Sequence, residues 1–365
     1  MSSYIVTFLL FGLYLVVIPL GISPFEAPKV IIAEVLISLL LLVNILKFKK
    51  VDLKHFISPQ TIFLAVLFLL ALDQLLIFHP PGAFFGNPFR LQGIFLFFHL
   101  LIFSFISRDI SLLIKESKLF YFLSFFCLVM GTIILGFNEN NRAFGTLGEP
   151  NALAATALFI WPFIYFKGGR KIKIASFLAC LLVIFLSGSR AGLIGFIIES
   201  IFISLVNVFK IVPLKAVLVS LVIALLTLVL PFTESTGLFE IRGQIWQVAI
   251  SAGLKSPIIG YGFGNIQDPI YQTAVELKSS IQYSIIDSAH NFLLDFWIQG
   301  GAVAVISMLL LISLAISGLV KAKRIIELAA FLGLLTAMLF NPVSVVNLLA
   351  FWWLIGQGHH SLDKA

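Results

Sequence analysis

Charge is what this sequence has least of. Only 11% of its 365 residues are Asp, Glu, Lys or Arg, and 60% are hydrophobic; a soluble domain carries about 25% charged residues. A chain so poor in charge cannot cover a surface facing water, and a mean hydropathy of +1.09 makes the bilayer its solvent. Cysteine is scarce too. Cys127 and Cys180 both fall inside apolar runs, which reads as packing and implies neither a disulfide framework nor a thiolate metal site. No dense Asp/Glu cluster stands where a divalent ion could be collected outside, so no metal or other cofactor is expected. The N-terminus lacks the basic n-region and small-residue cleavage site of a signal peptide, and residues 4–20 read as a retained first span. The net charge of +7 is not a sign of nucleic-acid binding, because in such a chain Lys and Arg first set topology.

What the sequence does have is apolar runs of spanning length, about 17–25 residues. Twelve are read, at about 4–20, 29–46, 60–78, 91–107, 119–136, 150–166, 173–187, 190–206, 213–230, 289–320, 325–340 and 343–357. The last two are short, with a break at Asn341-Pro342 that allows a hairpin which does not fully cross. The expectation is an all-α polytopic membrane protein, a single membrane domain over residues 1–365. A long polar loop, about 231–288, lies between the ninth and tenth spans. With the N-terminus inside, only Lys29, Arg90, Arg142, Arg190, Arg242, Lys255 and Lys278 of the 24 basic residues fall outside. That bias obeys the positive-inside rule and puts both termini in the cytoplasm. Lysine dominates the inner side, whereas arginine, whose planar fork grips phosphate bidentately, is concentrated where positive charge is disfavoured. The plainer reading of any one of them is a snorkelling side chain or an ion pair.

Several stretches carry candidate chemistry. In residues 85–93, Gly86 and Pro88 make a tight approach and Arg90 opens the fourth span. In residues 141–151, Arg142 precedes Glu149-Pro150-Asn151, where Pro150 suits a first helical position and Glu149 a cap. Ser187-Gly188-Ser189-Arg190 joins the seventh and eighth spans. Ser189 caps the eighth helix, so Arg190 and the free N–H groups at that N-terminus make an anion site, and an arginine at membrane depth is a functional candidate. In the long loop, residues 238–255 read as an amphipathic helix along the interface. Ile241, Ile245, Trp246, Val248 and Ala249 form its apolar face, and Arg242 lies on the polar one. Gly260, Gly262 and Gly264 mark a turn with the wrong spacing for a dinucleotide fingerprint. Asp287-Ser288-Ala289-His290-Asn291 opens the tenth span, with His290 in its first turn and Asp287 or Ser288 as the cap. A histidine there is held neutral and can act as a general base; the plainer alternative is a hydrogen bond across the loop. His359 and His360 read as inert residues of a cytoplasmic tail.

The ordered set Arg142…Gly145…Glu149-Pro150-Asn151, Ser187-Gly188-Ser189-Arg190-Ala191-Gly192, Arg242…Trp246, Pro257…Gly260-Tyr261-Gly262…Gly264 and His290-Asn291…Gly300 resembles the O-antigen ligase / O-antigen polymerase superfamily, over roughly residues 85–305. The resemblance implies an inverting, metal-independent glycosyltransferase of the plasma (inner) membrane. It would move a glycan from an undecaprenyl-pyrophosphate carrier to a hydroxyl of a lipid, glycan or protein acceptor at the external face. Carried over, Arg190 and Arg242 would bind the pyrophosphate leaving group and His290 would activate the acceptor. Arg142 and Arg90 would support phosphate or glycan, and Ser189, Asn151, Asn291 and Gly262 would be further substrate-binding positions. A polymerase uses the same donor with a glycan acceptor. A secondary transporter is the rival of another class, and it places ionisable groups at the midplane of repeated halves. Here Glu34, Asp73, Glu199 and Asp295 are the few mid-span ionisable residues, and no half-repeat stands out.

Overall fold

A computed structural model describes residues 1–19, 23–47, 58–78, 82–108, 110, 118–228, 240–279 and 287–363. The described residues form fourteen α-helices and no strand. Helices α1 (Ser2–Phe11), α2 (Ala27–Lys47), α3 (Pro59–Phe78), α4 (Ile94–Ser107) and α5 (Lys118–Ile134) come first. Helices α6 (Pro150–Lys167), α7 (Arg170–Ser187), α8 (Arg190–Asn207) and α9 (Pro213–Thr227) follow. Two loop helices, α10 (Glu240–Lys255) and α11 (Gln267–Glu276), precede α12 (Phe292–Lys321), α13 (Ile325–Met338) and α14 (Val345–Asp363). The all-helical expectation holds. Ala27–Leu46, Pro59–Leu76, Arg190–Asn207 and Phe292–Lys321 are long and apolar enough to cross a membrane, and five shorter apolar helices accompany them. The chain is a multi-pass membrane protein. Expectations for residues 229–239 and 280–286, much of the polar loop, lie outside the described residues.

Local chemistry sets the helix ends. Pro150 sits at the first position of α6 and the Glu149 carboxylate accepts the Ala152 N–H. Ser189 does the same for α8, accepting from Gly192 N–H at 3.1 Å, after Gly188 turns left-handed at φ 59° to end α7. Such caps satisfy N–H groups that a helix start leaves open. Apolar residues all round a helix mean burial on every side. That is the case for α6, buried from Pro150 to Ile164, and for α13, buried from Leu328 to Met338. Helix α14 is buried from Val345 to Leu349 and again from Ala350 to His359 apart from partly exposed Leu348. These three form the centre. Helix α13 packs against α6 and α8, and α14 against α4 and α12.

Two expectations need correction, and a third gains a place in the fold. Residues 4–20 are not one continuous helix, because α1 stops at Gly12 and a short 3-10 turn, Leu13–Leu15, follows. The pair after Arg324 keeps its expected break at Asn341-Pro342, and its two arms, α13 and α14, are the core hairpin. Its first arm, at 14 residues and about 21 Å, is shorter than the roughly 30 Å hydrocarbon layer. His359 is no tail residue. It lies buried in α14, within 3.0 Å of the Ser58 hydroxyl.

Helix α12 is broken. Gly301 has φ 59° and ψ −159°, a region essentially reserved for glycine. The loop after α10 docks into the break. Tyr261 and Gly262 N–H donate to the Ile298 and Gln299 carbonyls at 2.8 and 2.9 Å, and Ala302 N–H donates to Pro257 at 2.8 Å. A Cβ on Gly301 would lie 2.2 Å from the Ile258 carbonyl carbon and oxygen, which is backbone and cannot yield. Gly301→Ala should therefore cost about 2–3 kcal/mol or more through strain and clash. It should lower the thermal unfolding midpoint in detergent by several degrees, while a substitution at Gly169, where no atom lies within 4 Å, should not.

Candidate active site

Polar residues gather at the two ends of the core hairpin. At the far end, Arg324 donates to Gln357 at 2.7 Å and Gln357 donates to the Ser107 carbonyl at 2.9 Å. At the near end, about 20 Å away along α14, the Glu26 carboxylate accepts from Val345 N–H and from Gln92. This near end is where Arg90, Arg142, Arg190, Arg242 and His290 are found.

Arg142 is fixed against the α7–α8 turn. Its Nε donates to the Ser187 carbonyl at 2.8 Å and its NH2 group to Asn151 Oδ1 at 2.9 Å. Asn151 in turn donates to Glu149 at 2.7 Å. One carboxylate thus caps α6 and, through Asn151, orients Arg142. Ser189 is buried and spent on its cap, and Arg190, the first residue of α8, is exposed beside it. Arg242 comes from α10. It donates to Asn341 Oδ1 at 2.9 Å, and Trp246, one turn later, packs on Phe340 with ring centroids 5.9 Å apart. The α13–α14 turn therefore holds Arg242 in place.

The charges act on one another. The pKa of Arg142 is lowered by burial and by Arg190, against the pull of Glu149. That of Arg242 falls to about 10, first through burial, then through Arg142 and Arg190, with Glu149 opposing. Arg190 thus disfavours the charge on Arg142, both disfavour the charge on Arg242, and these guanidinium groups from separate elements make a positive site that an anion would relieve.

His290 lies next to this cluster, but not in the first turn of α12. The helix begins at Phe292 and its cap is Asn291, whose Oδ1 accepts from Leu293 and Leu294 N–H at 3.0 and 3.2 Å. The cap is thus neither Asp287 nor Ser288, because those two are used elsewhere. Ser288 Oγ donates to Asp295 Oδ2 at 2.8 Å, Ala289 N–H donates to Asp295 Oδ1 at 2.6 Å, and Asp287 forms an ion pair with Arg90. His290 itself has φ 55°, uncommon for a residue with a side chain and held by these bonds. Burial lowers its pKa from 6.5 to about 4, with Arg242 and Arg90 adding to the fall and Asp287 opposing it. The imidazole is neutral at physiological pH. Burial alone would lower the pKa of Arg90, yet it is raised, because Asp287, Glu26 and Glu149 outweigh that effect.

The structure therefore brings Arg142, Arg190, Arg242, Arg90 and His290 to one end. Gly262 is elsewhere. Its N–H is used on the α12 break, and its turn faces Gln299. Asn151 and Asn291 orient an arginine and cap a helix, respectively. Sequence reading missed Asn341, Asp287 as the partner of Arg90, and Asp295 beneath the His290 turn. Only the Asn341-Pro342 break gave a signal for Asn341, and it was read as topology. Among the described residues, no three His, Cys, Asp or Glu side chains gather closely enough to hold a metal ion.

Residues 175–309 match the family model described as O-Antigen ligase. This region is O-antigen ligase-like. The match runs from α7 into α12 and contains Ser189, Arg190, Arg242, Gly262, His290 and Asn291, while Arg90, Arg142 and Asn151 lie before it. It carries an O-antigen ligase- or polymerase-type function in general terms. No curated protein matches the chain. The O-antigen ligase-like region thus supplies the histidine and two arginines, and α5–α6 and the α3–α4 loop supply two more arginines.

Proposed function

We propose that the chain is an inverting membrane glycosyltransferase that moves a glycan from an undecaprenyl-pyrophosphate carrier to an acceptor hydroxyl. In this reading twelve spans leave both termini in the cytoplasm. The loop of residues 231–288 is external, and the arginine end faces outward from the inner membrane. Arg190 and Arg242 hold the pyrophosphate, with Arg142 in support there and Arg90, paired with Asp287, in support of the glycan. The bond from the anomeric carbon to the phosphate oxygen breaks and its electron pair leaves with the diphosphate. The acceptor oxygen bonds to that carbon from the opposite face, and its proton passes to the His290 imidazole. Preorganised cations in a partly dry site stabilise the charge that develops on the leaving group.

The observation that best supports this is the gathering of Arg142, Arg190 and Arg242 from separate elements, close enough to lower the pKa of Arg142 and Arg242, beside a histidine kept neutral. Ligase and polymerase share the donor and differ in the acceptor. Purified protein in proteoliposomes should release undecaprenyl pyrophosphate while forming a glycosidic bond. Movement of the lipid-linked glycan with no new bond would favour a transporter.

The acid limb tests the base. His290 titrates near 4 in the folded chain and near 6.5 when unfolded. Its base form persists at pH 5, so kcat/KM should hold down to about pH 4–5 rather than fall through 6.5. The stability sign is opposite to that of a salt-bridged histidine. The unfolded chain binds the extra proton, so this group's contribution is whole above 6.5 and is lost as pH falls toward 4. An acid limb centred at 6.5 would count against His290 as the base.

A further inference from the structure

A second compartment lies next to the arginine cluster. It is a cavity of about 300 Å³ between the α3–α4 loop, the turn after α10, the His290 turn and the α13–α14 turn, within the size range of small-molecule sites. Arg142, Arg190 and Arg242 do not line it. Arg90 does, and it is the single basic side chain among the described lining residues. Its guanidinium is already paired with Asp287, which lines the cavity too, as do Asp268 and Asp295. The space is therefore acidic where its neighbour is basic. A pyrophosphate or uronate would meet carboxylates without a spare cation, at a substantial desolvation cost.

Two kinds of residue in the rest of the lining bear on what the cavity could take. Asn87, Asn265 and Gln267 contribute side-chain amides, which both donate and accept hydrogen bonds, while Gln92, bonded to Glu26 and Val343, and Gln299, bonded to Gly264 and Asp295, are held rigid in the wall. Phe97, Phe296 and Trp352 form an aromatic floor, with Phe97 and Trp352 ring centroids 6.0 Å apart. Amides beside ring faces suit a sugar, whose edges carry hydroxyls and whose C–H faces are apolar. Ser288 and Phe292 also line the cavity, and His290 lies between them in the chain. The Arg90–Asp287 pair stands where the acidic and basic compartments meet.

We propose that this cavity is the acceptor subsite, and that it takes an uncharged sugar ring whose reacting hydroxyl is presented at the His290 turn. The proposal rests on the glycosyl-transfer reading for the word acceptor, but sugar binding is measurable without transfer. Full-length protein in nanodiscs is mixed with methyl β-glucoside, methyl N-acetyl-β-glucosaminide or methyl β-glucuronide, and saturation transfer to the sugar protons is read by NMR. The two neutral glycosides should show transfer, and the glucuronide at least fivefold less. Asn265→Phe and Gln267→Phe, bulky changes at the cavity mouth, should each cut the neutral signal at least fivefold, with either one sufficient if the other fails to fold. Arg190→Ala should leave it unchanged.

No signal from any neutral glycoside overturns the proposal. So does a signal indifferent to both mouth substitutions, one lost in Arg190→Ala, or one displaced by decaprenol in the disc, which would make the cavity a lipid groove. Sugar held here without bond formation in the reconstituted assay overturns the transfer reaction and upholds the sugar site. Transfer by a chain that holds no sugar here overturns only the subsite.

Discussion

Replacing His290 by asparagine lowers the turnover of glycan transfer by about 10²–10⁴-fold, the usual worth of a positioned general base. Asparagine is the informative substitution. The residue sits at φ 55°, which asparagine tolerates better than alanine, so the turn on Asp295 should survive. His290→Ala should lose as much activity and some stability besides. Because the imidazole acts on the acceptor's proton in the transition state, kcat and kcat/KM should fall together. Turnover of His290→Asn within threefold of the parent, with the protein folded, would remove the histidine from the mechanism.

The second large effect is at the leaving group. Arg190→Ala should reduce turnover by about 10²–10³-fold, as loss of a preorganised charge stabiliser does. It should scarcely affect folding, because the side chain is exposed and Ser189 rather than Arg190 caps α8. Arg190→Lys should recover only part, since lysine keeps the charge and loses the fork. Arg242→Ala should match it in activity. It should also unfold more readily, because it strands the Asn341 side chain that now accepts from the guanidinium. The two alanine substitutions together should cost less than the product of the single losses, as residues acting on one group do. Full multiplicative loss would mean that the two arginines serve different ligands.

Much of this was legible in the chain. Glu149-Pro150 and Ser189 announced helix starts because capping is local, decided by residues two or three apart. The arginines of the candidate site could be picked out because topology rules count charge. What pairs across the fold could not be seen. Arg90 and Asp287 are 197 positions apart, Arg242 and Asn341 99. Asp295 looked like a mid-span carboxyl, and only a start at Phe292 with Asn291 as its cap places it under the His290 turn. The same register error put His290 inside the helix. The glycine turn was recognised as a turn, but its purpose, to fill a break in a helix that looked continuous, depends on contacts between Pro257–Gly262 and Ile298–Ala302.

In the proposed reaction three guanidinium groups from separate elements meet over one diphosphate, with a neutral imidazole at its edge. The most direct test is an electron cryomicroscopy map of the protein with an undecaprenyl diphosphate bound. Phosphate density should be enclosed by Arg142, Arg190 and Arg242, with His290 on the side facing the aromatic cavity. Phosphate density among Asp268, Asp287 and Asp295, or at the opposite end beside Arg324, would contradict it.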